Sequence, residues 1–171
     1  MLRPLLIASA LAALLASGCG STSSPTTQPG SGSSASSVTR AQFVARANAI
    51  CTALHGEQAL LKPRLTALEH LQSARLARKA GAGIAHESVA LARAAEAKLR
   101  ALARPAADAA TIERLLAGYR EEVTYATSIA NAIASEYPRG QEAAARNLKH
   151  AVLVDRGLAA GLGLNVCATS E

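Results

Sequence analysis

The sequence predicts an all-α fold, an antiparallel bundle of about four helices stapled by one disulfide and preceded by a signal peptide and a disordered linker. Three observations predict it. Alanine and leucine dominate a chain that is 50% hydrophobic. Apolar residues recur at three- and four-residue spacing, with no stretch of strand-like alternation. Two cysteines, Cys51 and Cys167, stand near opposite ends of the part that can fold.

Residues 1–18 carry the parts of an export signal: Arg3 in a basic n-region, an apolar run over 5–16, then Ser17 and Gly18. The run is shorter than the ~20 residues needed to cross a bilayer core. No later stretch is long and uncharged enough to do so. Membrane attachment is therefore expected to be covalent or peripheral.

The small residues followed by Cys19 resemble a bacterial lipobox, with Ala16 where leucine is usual and Leu15 one place earlier. The resemblance implies that the Cys19 thiol takes a diacylglycerol and becomes the first residue of the mature chain. Stable anchoring takes two or more acyl chains. Ordinary secretory cleavage is the alternative, since Ala16-Ser17-Gly18 also suits a signal peptidase. The expected location is the extracytoplasmic face of the cell membrane, or the exterior if the lipobox is not used.

The chain has three cysteines. If Cys19 carries lipid, Cys51 and Cys167 remain, and an oxidising compartment favours their pairing. The alternative is two buried thiols. Neither belongs to a C-x-x-C pair or has a recognisable basic partner, which argues against a catalytic thiol.

Residues 19–37, the lipidated cysteine and a Ser/Gly/Thr/Pro-rich stretch, lack charge and large apolar side chains. They cannot bury enough surface to offset their ordering entropy and are expected to form a flexible tether with a reach of about 20–25 Å. The folded domain is expected over 38–171. Thr39 with Gln42 forms a capping-box pattern, flanked by a Val38–Phe43 staple. Phe43, Ala47, Ile50, Cys51, Leu54 and Leu61 then follow at helical spacing, and Pro63 should end or kink the helix.

A second helical stretch carries Leu65, Leu68, Leu71 and Leu76 to a break at Gly81-Ala82-Gly83; Ile84 to Leu102 resume the pattern, as one bent helix or two. A third begins near Asp108, a candidate cap, and runs through Ile112, Leu115, Tyr119, Val123 and Ala126 to Ile133. Tyr137-Pro138-Arg139-Gly140 reads as a turn. The last helix presents Ala144, Leu148, Ala151, Val152, Leu158 and Leu162 and closes in the Gly161-Leu162-Gly163 tail. Gly157-x-x-x-Gly161 reads either as a close helix approach or as fraying toward that end.

Phe43-Val44-Ala45-Arg46-Ala47-Asn48-Ala49-Ile50-Cys51 and Gly163-Leu164-Asn165-Val166-Cys167 resemble segments of small exported proteins and lipoproteins of high-GC Gram-positive bacteria. That group carries F-x-x-x-A-[ND]-x-[IL]-C at the start of the domain and G-L-x-x-C at its end. These motifs are structural. They support the disulfide and imply no mechanism.

The formal net charge is +6, and residues 62–104 hold nine basic against three acidic residues. Arg75, Arg78, Lys79, Arg93, Lys98 and Arg100 are the candidate basic surface for anionic lipid, a wall polymer or an envelope protein. A plain solvated face is the alternative. Nucleic acid is disfavoured as a partner by export and by the scarcity of aromatic residues for stacking, and one Phe, three Tyr and no Trp make a poor sugar platform.

His55, His70, His86 and His150 are scattered without metal-ligand spacing. The sequence shows adjacent carboxylates only at Glu121-Glu122, and these diverge on a helix. No catalytic residue, metal or cofactor is expected. The expectation is a non-enzymatic, lipid-anchored binding or interaction module at the cell envelope, with a carrier of a small ligand, metal or haem within the bundle as the alternative.

Overall fold

The structure is a computed structural model that describes residues 38–169. The expected signal peptide, Cys19 and linker lie outside the described residues. Within them the chain forms α1 (Arg40–Ala59), α2 (Lys62–Leu68), α3 (Ala74–Arg100), a 3₁₀ turn at Ala106–Asp108, α4 (Ala109–Ala134), α5 (Pro138–Leu162) and α6 (Asn165–Ala168). The fold is all-α, with four long helices and two short ones among the described residues. None of these helices is long and apolar enough to cross a membrane.

Neighbouring long helices run antiparallel. Gln58 of α1 reaches Ser88 of α3, Arg78 near the start of α3 pairs with Glu136 just beyond the end of α4, and Gly118 early in α4 faces Asp155 late in α5. α4 packs against α3 on one side and α5 on the other, while α1 packs on α3 and α6.

The N-terminal cap forms as the sequence predicts. Thr39 and Gln42 exchange side-chain-to-backbone bonds, Val38 packs on the core, and Phe43 is buried. α1 nevertheless stops at Ala59, ahead of Pro63, which sits in the first turn of α2, where its missing N–H costs nothing. Leu65 to Leu76 do not form one helix either. α2 ends at Leu68, and Ser73 caps a new start by accepting from the Leu76 N–H.

Gly81 and Gly83 lie inside a continuous α3, so the expected break is absent. A methyl group at Gly81 would sit 3.4 Å from Leu68 Cδ1. Packing of α2 on this stretch holds glycines that an isolated helix would spend as a break. At the other end of α4 the turn is Ser135 to Tyr137, with Glu136 at φ 55°, and Pro138 opens α5. Asp108 precedes α4 without capping it by its side chain; its carboxylate instead faces Arg40 at 3.8 Å.

Gly163, at φ 83°, ends α5 in the left-handed conformation that glycine adopts freely. The chain then turns α6 back onto α1. Asn48 Oδ1 accepts from the Val166 N–H at 3.2 Å, and the Cys51–Cys167 disulfide, with its Cα atoms 5.3 Å apart, locks the contact. Gly157 and Gly161 face open space, which rules out a close helix approach there.

The core is uneven along the bundle. Phe43, Leu99, Ile112, Leu115, Leu116, Leu162 and Leu164 fill the end near the disulfide. Burying a residue such as Ile112 or Leu115 contributes roughly 1.5–3 kcal/mol. Farther along α4 and α5 the buried residues are Ala130, Ala132, Ala144 and Ala151, which bring helices close but fill little volume.

Candidate functional site

A cavity of about 320 Å³ opens between the filled end and the alanine-rich end. Its walls come from α1, α3, α4, α5 and the disulfide, and Ala92, Ala95 and Ala126 all line it. Alanine at these positions leaves space that leucine would occupy. The volume lies near the lower end of small-molecule sites, about 300–1,000 Å³. Leu54, Val89, Val123, Leu148 and Val152 complete an apolar lining.

Three polar groups gather on the α4–α5 side. Tyr119 and Glu122, three residues apart, project from the same face of α4, and Asp155 enters from α5. Asp155 occupies a core position in the repeat Leu148, Ala151, Val152, Leu158, Ala159, Leu162, and it is only 3% exposed. Its carboxylate lies against the backbone of Gly118, where an added methyl group would collide with both oxygens. Among the described residues Asp155 is the one buried charged residue.

Two carboxyls that meet in an apolar wall cannot both stay ionised cheaply. Burial, then the hydrogen bond to Asp155 and its charge, push the Glu122 carboxyl up to about 8, while nearby Arg156 works the other way. Burial also raises Asp155, with Glu121 adding to the shift, but the hydrogen bond from Glu122 favours its charged form. Both carboxyls are thus held above the ordinary carboxylate range, and the pair keeps a proton at neutral pH. Asp155 Oδ2 is left without a partner, as is the buried hydroxyl of Tyr119. Burial and the two neighbouring carboxyls push that phenol up, so it stays neutral.

On the α1 and α3 walls, His55, Gln58, Ser88 and Glu96 line the same cavity. Gln58 is bonded to Ser88 at 3.4 Å, and Glu96 is paired with Arg100 one turn on. His70, His86 and His150 are exposed. No group of three histidine, cysteine or acidic side chains among the described residues is placed to hold a metal ion.

Cys51 and Cys167 are joined, as the cysteine count predicts, and form part of the cavity wall. Cys19 lies outside the described residues. The six candidate basic residues fall into two groups on α3. Arg75, Arg78 and Lys79 surround a small hollow with Ile133 and Glu136, and Arg78 bonds Glu136 at 2.8 Å. Arg93, Lys98 and Arg100 follow, with Arg100 neutralised by Glu96. From Lys79 to Arg93 the helix rises about 21 Å, more than two Debye lengths at physiological salt.

The carboxyl pair is not legible as a spacing, because only the neighbours Glu121 and Glu122 stand together in the sequence. A signal was present: Asp155 falls in the apolar repeat of the last helix, and Glu122 beside Val123 in that of α4. Comparison of the chain with family models, with curated proteins and with solved structures finds no match.

Proposed function

We propose that this protein is a non-enzymatic binding module held outside the cytoplasm by lipid on Cys19, and that it carries a small molecule in the cavity of its bundle. The observation that supports this most is the cavity itself. It is walled by helices and a disulfide, is apolar over most of its surface, and has Tyr119, Glu122 and Asp155 converging on its α4–α5 side. Its two facing carboxyls offer acceptor oxygens to a donor-bearing ligand.

Native mass spectrometry of the protein extracted gently from membranes tests the reading. A retained small molecule that disappears on Ala126→Leu, which narrows the cavity, is the expected result. A protein that is ligand-free on gentle extraction, and that no apolar amine, alcohol or acid stabilises against heat, would overturn it. The same spectra report the acyl mass on Cys19.

A second reading concerns the end of the domain near α2. Leu60, Leu65, Leu71 and Leu76 are 71%, 47%, 42% and 59% exposed, and Arg75, Arg78 and Lys79 flank Leu76 along the chain. We propose that this leucine-rich, basic end rests on anionic lipid, where buried side chains and cationic heads act together.

A further inference from the structure

The one buried charged group of the cavity wall lacks a donor: Asp155 Oδ2 is buried with no partner, and the Tyr119 hydroxyl beside it has none either. Glu122 and Asp155 hold a proton between them. A buried carboxylate oxygen without a donor is costly, and a native fold keeps such a group where something else satisfies it. All three side chains line the α4–α5 side, Leu54, Val89, Leu148 and Val152 with the alanines give the space its apolar part, and His55, Gln58, Ser88 and Glu96 stand on the α1 and α3 walls.

We propose that the cavity takes an organic cation, a primary amine on an apolar body, whose ammonium sits on Asp155, Glu122 and the Tyr119 hydroxyl. The inference rests on the binding reading above and adds the ligand's chemical class. An ammonium brings a positive charge and three N–H donors to the two carboxyls and the Tyr119 oxygen, whereas an alcohol brings one donor and no charge to the carboxyl pair and a carboxylate meets like charge. A hard metal ion would want six or more oxygens, and the described residues offer no ligand cluster.

The charges around the pair leave room for a cation. Glu121 lies near Asp155, and Glu96 on α3 is spent on Arg100. Arg156 on α5 is the cation that opposes entry, and His55 faces the space from α1. When the ammonium binds, it replaces the proton held between the carboxyls, and that proton leaves to solvent. Affinity should therefore rise with pH while the pair still holds its proton, up to about 8, and flatten beyond.

Calorimetry on the full exported protein with benzylamine, benzyl alcohol and benzoate separates the possibilities. The expected result is that benzylamine binds about tenfold or more tighter than the alcohol, that benzoate does not bind, and that the amine's heat depends on the buffer because a proton is released. Asp155→Asn should abolish the preference for amine over alcohol. Should that variant lose helix content, Tyr119→Phe, which keeps the ring and removes one acceptor, is expected to weaken the amine alone. If amine and alcohol bind alike and neither substitution matters, the choice of cation falls while the binding reading stands. If none of the three binds, the binding reading falls and takes this inference with it.

Discussion

Gly118 and Asp155 are a matched pair: the absent side chain on α4 makes the space in which the carboxylate on α5 is buried. The pair fixes how closely the two helices approach at the wall of the cavity. Gly118→Ala is therefore expected to destabilise the fold by about 1–3 kcal/mol, the usual range for overpacking. Asp155→Ala in the same chain should recover most of that loss, and a double-mutant cycle from urea unfolding measures the coupling.

The shared proton makes stability depend on pH. Both carboxyls are raised in the fold, so between the unfolded carboxylate range and about 8 the native state binds more protons than the unfolded chain. Stability should accordingly be highest on the acidic side of this window and fall as pH rises through it. The expected loss is roughly 2–3 kcal/mol, after allowance for solvent at the half-buried Glu122. Glu122→Gln, whose amide still donates to Asp155, should flatten the slope in unfolding curves taken across the window.

Filling the cavity should trade binding for stability. Ala126→Leu adds apolar volume where the lining is thin and is expected to raise stability by about 0.5–2 kcal/mol. It should also remove benzylamine binding. Thermal melts with and without the amine read both effects.

Arg40 ties the start of α1 to the end of α5, donating from Nη2 to the Gly161 carbonyl at 2.6 Å and from Nε to that of Leu162 at 3.4 Å, and facing Asp108. These carbonyls lie in the last turn of α5, where intrahelical partners run out. Arg40→Ala should cost about 1–2 kcal/mol and speed amide exchange at Leu164, while exchange in α3 stays unchanged.

If the leucine-rich end rests on lipid, Leu65→Glu should reduce co-sedimentation with vesicles rich in anionic phospholipid and leave the melting temperature nearly as it was, because Leu65 is exposed. Equal co-sedimentation with neutral vesicles would show that charge has no part in it.

Periodicity carried most of the fold. Thr39, Gln42 and Phe43 announce α1 because capping chemistry is local, and the Cys51–Cys167 disulfide agrees with a cysteine count that sets Cys19 aside. The boundaries around Pro63 and Gly81 were less legible, since whether a proline opens or ends a helix and whether a glycine breaks one depend on what packs beside it, here Leu68. The acidic pair was hidden for a related reason. Residues 122 and 155 are far apart in sequence, and only the α4–α5 packing brings them together.

The disulfide also sets an order of events. Cys51 and Cys167 are separated by 116 positions. Every long helix except the first stands between them in the chain, so Cys51 has no partner until α3, α4 and α5 have been made. Formation of this one bond thus reports that the domain is present from α1 through α6.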